Sequence, residues 1–106
     1  MPFTPKPVAD GQLAASQTTI YTVPGSTKAY GHSLVCNNVG STSETVQVWV
    51  NVSGTARRIA RAILEAGETL IVEGHEMPLL EAGDTVLAST TTATTVDYVL
   101  SVVEET

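Results

Sequence analysis

The groups in this 106-residue sequence that could do chemistry near neutral pH are two histidines, one cysteine and many hydroxyls. Their spacing serves none of the common schemes. A metal site wants spaced His or carboxylate ligands, and neither His32 nor His75 has a histidine or carboxylate partner at i+2 or i+4. His75-Glu76 reads as a solvated turn. A serine nucleophile wants a strained Gly-x-Ser-x-Gly turn, and no such run occurs. Gly25-Ser26-Thr27-Lys28 lacks the earlier glycine and the following helix of a phosphate loop, so it reads as a hairpin turn. Asn51-Val52-Ser53 fits a glycosylation acceptor, which carries no weight without a secretory signal. Cys36 lies among Leu34, Val35 and Asn37 with no base nearby to activate it, and is expected to be a buried structural thiol. The sequence therefore predicts no catalytic residue, no metal ligand set, no cofactor and no enzyme activity.

Other residues point to contact. Trp49 is the only tryptophan and alternates onto the face opposite Val46, Val48, Val50 and Val52, between Gln47 and Asn51. An aromatic on a polar face suits an interface; a loop or the N-terminal segment covering it within the chain is the alternative. Arg57, Arg58 and Arg61 are three of the five bases, a local reversal of sign in a chain of net charge −6. They read either as a charged strand edge that discourages aggregation or as partners for acids of a second copy near Glu65, Glu81 or Glu104-Glu105. Residues 1–15 carry Pro2, Pro5 and Pro7, which fix three φ angles and remove three donors, so they cannot form a central strand. They are expected to be an extended arm, with Phe3 and Val8 as its apolar contacts on a neighbouring subunit, or else a frayed terminus.

The elements that must position these residues are strands. Thr and Val, both β-branched, occur 16 and 14 times, and charged residues make up only 15%. Strands are expected at Thr18–Val23, ending in a type II turn at Pro24-Gly25-Ser26, and at Ala29–Asn38 and Glu44–Val52. Residues 55–66 fit helical spacing as well as strand alternation; the strand is preferred because the neighbours are strands. Leu64-Glu65-Ala66-Gly67-Glu68-Thr69 returns as Leu80-Glu81-Ala82-Gly83-Asp84-Thr85, which predicts two similar corners with glycine at positive φ. Short strands at Met77–Leu80 and Thr85–Thr90 and a sheet-centre strand at about Thr95–Val103, covered on both faces, complete the set. Residues 16–106 thus read as one antiparallel β-sandwich of seven or eight strands, jelly-roll or immunoglobulin-like.

Eleven acids against five bases disfavour nucleic acid, and no apolar run is long enough to span a membrane. No basic start leads into an apolar stretch, so no secretory signal is expected. In their order, Tyr21-Thr22-Val23-Pro24-Gly25, Leu34-Val35-Cys36-Asn37, Val46 to Val52, the Leu80–Thr85 corner and Val96-Asp97-Tyr98 are similar to small structural proteins of tailed bacteriophages. The resemblance spans about residues 13–104. It implies a non-enzymatic virion protein, a capsid decoration (cement) protein on the phage head or else a tail or head–tail accessory. The partner would then be the major capsid protein or a tail protein, and assembly would take place in the host bacterial cytoplasm. A homo-oligomer, with a trimer matching capsid three-fold sites, follows as an expectation. A carbohydrate- or peptide-binding sandwich module is the other reading.

Overall fold

Where polar and β-branched residues alternate, a strand can bury one face and wet the other, and Glu44–Val52 does so most regularly. In the computed structural model, which describes residues 3–52, 54–73 and 80–105 and side chains from Ala9 onward, Val46, Val48 and Val50 point into the core. The strands are β1 (Phe3–Gln12), β2 (Thr18–Thr22), β3 (Lys28–Asn38), β4 (Glu44–Val52), β5 (Thr55–Leu64), β6 (Thr69–Glu73), β7 (Thr85–Ser89) and β8 (Val96–Glu105). They form two four-stranded antiparallel sheets, β1-β8-β3-β6 and β2-β7-β4-β5. The pairs β1·β8, β2·β7, β3·β6 and β4·β5 nest inside one another, which is the jelly-roll wrap rather than the immunoglobulin one. His75 and most of the strand expected at Met77–Leu80 lie outside the described residues. Leu80 itself forms a single bridge to Ala29.

Leu34, Cys36, Leu100 and Val102 of the first sheet meet Val46, Val48, Val86 and Ala88 of the second in one core, closed by Leu13, Val23 and Leu80. Each fully buried Leu or Val contributes about 1.5–3 kcal/mol. Residues 55–64 are a strand, at the edge of the second sheet. β8 lies inside its sheet, between β1 and β3, but Val99 is exposed on its outer face, so the expectation of cover on both sides is corrected. The turn after β2 also differs from expectation. Ser26, with φ of 59°, holds the left-handed position assigned to Gly25, and the Thr27 hydroxyl donates to the Gly25 carbonyl at 3.2 Å.

The repeated hexapeptide makes two matching corners. In one, the Glu65 amide donates to Glu68 Oε1 at 2.7 Å; in the other, the Glu81 amide donates to Asp84 Oδ2 at 2.9 Å. Each corner also clamps an earlier strand end through two backbone bonds. Gly67 N–H donates to the Asn38 carbonyl and Asn38 N–H to that of Glu68, while Gly83 N–H donates to Val23 and Val23 N–H to Asp84. Gly67 and Gly83 sit at φ of 84° and 90°, with open space where a Cβ would go. Gly67→Ala and Gly83→Ala are each expected to cost about 1–2 kcal/mol of backbone strain, read as a Tm lowered by about 5–10 °C in a thermal melt. An unchanged Tm would mean that the corners do not hold this conformation.

Candidate functional site

The outer face of the second sheet is built by register. Trp49 stands across from Leu87 of β7 on one side and Arg58 of β5 on the other, and Arg61 stands across from Gln47. A bulge between Val48 and Trp49 makes this possible, because it shifts the phase of β5 so that Arg58 and Arg61 share the outer face. Arg58 donates to Gln47 Oε1 at 2.9 Å. Arg57, opposite Val50, belongs to the other face of the edge strand. The structure thus brings Trp49, Arg58 and Arg61 onto one face and sets Arg57 apart. Trp49 is half-buried and Arg57, Arg58 and Arg61 are exposed.

The proline-bearing segment runs as β1, antiparallel to β8 from Phe3↔Glu105 to Gln12↔Asp97, with an irregularity between Pro7 and Ala9. It occupies the edge of the first sheet, where missing proline donors cost least. Phe3, Pro5, Pro7 and Val8 all fall on this strand, and Pro2 lies outside the described residues. Because β1 belongs to the first sheet, it is not what shelters Trp49 on the second.

Two buried polar groups were not singled out by sequence. Asn38 is fully buried and donates through Nδ2 to the carbonyls of Thr42 (2.8 Å) and Leu64 (2.9 Å), while its Oδ1 accepts from the Gly40 amide at 2.9 Å. Glu44, 1% exposed, accepts at Oε1 from the Thr90 hydroxyl (2.9 Å) and the Thr92 amide (2.7 Å), and at Oε2 from the Thr42 hydroxyl (3.4 Å). Burial pushes its pKa up, but the Thr92 amide and the hydroxyls of Thr90, Thr95 and Thr92 outweigh that and hold the carboxyl below its ordinary range. These groups tie loops to strand ends. The donors to Glu44 are Thr42 and the loop after β7, so the carboxylate anchors both segments.

Glu104 and Glu105 lie within β8 rather than in a loose tail. The Tyr21 hydroxyl donates to Glu104 Oε2, and the Tyr30 hydroxyl to Glu105 Oε1 at 3.2 Å. Desolvation and then Glu104 push the Tyr21 hydroxyl well above the usual tyrosine range. Cys36 is fully buried, and desolvation pushes its thiol up to about 12. His32 is exposed at an irregularity in β3. Among the described residues no group of three or more His, Cys, Asp and Glu side chains is placed to hold a metal ion.

No protein-family model matches the chain, and no curated protein matches it. The fold is similar to a chain in a solved structure of Bacillus endospore appendages, which are described as forming a novel family of disulfide-linked pili. The TM-score is 0.62 at 18% sequence identity, over 98% of this chain and 88% of that chain. This likeness overturns the phage resemblance. With it go the capsid-decoration and tail roles, the capsid or tail partner, the virion location and assembly in a host cytoplasm. The carbohydrate- or peptide-binding module is replaced as well. The physical reason for the misreading lies in the residues that carried it. Val23, Gly83 and Asp84 close a corner through backbone bonds and Leu80 bridges to Ala29, while Leu34, Cys36, Val46, Val48 and Val50 fill the core. Any jelly roll needs those services, whatever particle or fibre it belongs to.

Proposed function

We propose that this chain is a non-enzymatic subunit that polymerises into an appendage fibre on the outside of a spore. The observation that carries this reading is the likeness to the Bacillus endospore appendage chain, which extends over nearly the whole of both chains. A fibre needs contacts that repeat without closing, and each copy must offer two different surfaces for that. The trimer taken from capsid symmetry gives way to such an open series. Two sequence-flagged regions serve as the subunit contacts in this reading: the N-terminal segment with Pro2, Phe3, Pro5, Pro7 and Val8, and the second-sheet region with Trp49, Arg57, Arg58 and Arg61. Phe3, Pro5, Pro7 and Val8 fall on β1 of the first sheet and Trp49, Arg57, Arg58 and Arg61 on strands of the second, which gives one copy two different surfaces.

Negative-stain electron microscopy and sedimentation velocity on the purified chain test the proposal. Filaments of variable length are expected above a threshold concentration, with free subunits below it. A species of one fixed size at every concentration would overturn it.

A further inference from the structure

The outward face of the first sheet differs from that of the second in sign. On the first sheet, Val99 of β8, Val35 of β3 and Ile71 of β6 stand side by side in register, an aliphatic row crossing three strands. Val99 is 45% and Ile71 55% exposed. Acids frame this row: Asp10 pairs with Val99 on β1, Asp97 lies in the row on one side and Glu73 in the row on the other. Lys28 stands at the far end of the face, opposite Glu105. On the second sheet the apolar row is Leu87 and Trp49, with Arg58 and Arg61 beside it. The outward positions of its four strands, among the described residues, are Thr, Ser, Asn, Gln, Ala, Leu, Ile, Trp and Arg, with no acid.

We infer that these two faces are the interface between successive copies, the first sheet of one copy stacking on the second sheet of the next; this rests on the fibre-subunit reading above. Each face presents an apolar row about one side chain wide, flanked by charge, so the rows seat on each other as sheets stack about 10 Å apart. Charge selects the pairing. First sheet on first sheet sets Asp10 and Asp97 against their own kind, and second on second sets arginine against arginine. Only the unlike pairing brings Asp10, Asp97 and Glu73 to Arg58 and Arg61. Such a contact joins different surfaces of identical copies, so it repeats as an open helix or a ring.

Two double variants test this. Arg58→Glu with Arg61→Glu makes both faces acidic, and Asp10→Lys with Asp97→Lys makes both basic. All four side chains are exposed, so both variants are expected to keep the sheet spectrum and Tm of the unchanged chain. Each alone is expected to need at least about tenfold more protein to assemble, and an equimolar mixture to assemble within about threefold of the unchanged chain. Assembly of either variant alone at the original concentration would overturn the face pairing, as would two folded variants that fail to rescue each other. An unchanged chain that never polymerises would instead overturn the fibre reading itself.

Discussion

Fibres of this chain boiled in SDS without reductant are expected to run as single chains. A polymer linked throughout by disulfides needs each subunit bonded to two neighbours, hence at least two cysteines per copy, and these 106 residues hold one. That one is badly placed. Cys36 lies in the core between the sheets, with desolvation pushing its thiol up to about 12, so neither access nor thiolate is available for exchange. The Bacillus appendages are described as disulfide-linked, so the shared fold is expected to come with a different means of holding copies together. The companion measurement is thiol labelling at pH 8. From thiolate fraction alone, Cys36 in the folded chain is expected to react on the order of a thousandfold more slowly than a free thiol, and at the ordinary rate in urea. A reductant-sensitive ladder of dimers, or fast labelling of the folded chain, would show that the core opens at Cys36.

The all-β class and the two corners are legible in the sequence because both are local. A strand's side-chain period is two, so Glu44 to Val52 announces itself, and the Gly67 and Gly83 corners repeat their whole hydrogen-bonding device within six residues. β5 is harder to read for a definite reason. The bulge opposite Val48 and Trp49 shifts its phase, leaving Ile59 and Ala60 both half-buried, and a broken alternation looks like helical spacing. The nesting of strand pairs is not legible at all. It depends on partners such as Phe3 with Glu105, at opposite ends of the chain, and no local pattern encodes that pairing.

The same distinction separates the contact residues from the anchors. Trp49 stands out because one aromatic on a polar face breaks the alternation rule. Its neighbour Arg58 lies on the next strand, but Leu87 comes from β7, far along the chain, so the composite face is visible only after folding. The row of Val99, Val35 and Ile71 is likewise assembled from three strands. Asn38 is read from sequence only as the last residue of the Ala29–Asn38 strand, yet its burial makes it the post to which two loops are tied. Glu44 did leave a sequence signal. It falls in phase with Val46, Val48 and Val50, and an acid at a core-facing position must find donors or disrupt the core.

Glu44→Ala is accordingly expected to cause a large loss of stability. Removing the carboxylate strands the buried Thr90 hydroxyl and takes the acceptor from the part-buried Thr92 amide, and it frees the loop that brings β7 into β8. Bonds to a charged acceptor are among the stronger ones, so the expected loss is a Tm lower by on the order of 10 °C at neutral pH. Glu44→Gln keeps one carbonyl oxygen for the Thr90 and Thr92 donors and should lose less. It also isolates the charge. Because the folded-state pKa of Glu44 lies below its ordinary value, its contribution is present above the unfolded pKa of about 4.3 and fades as pH falls through the lower, folded one. As pH falls below about 5, the unchanged chain should lose Tm more steeply than Glu44→Gln, and the two melting curves should converge. Parallel acid limbs would mean that the carboxylate titrates alike in both states and that shape alone holds the loops. A Glu44→Ala chain melting within about 2 °C of the original would show that the threonine loop needs no anchor.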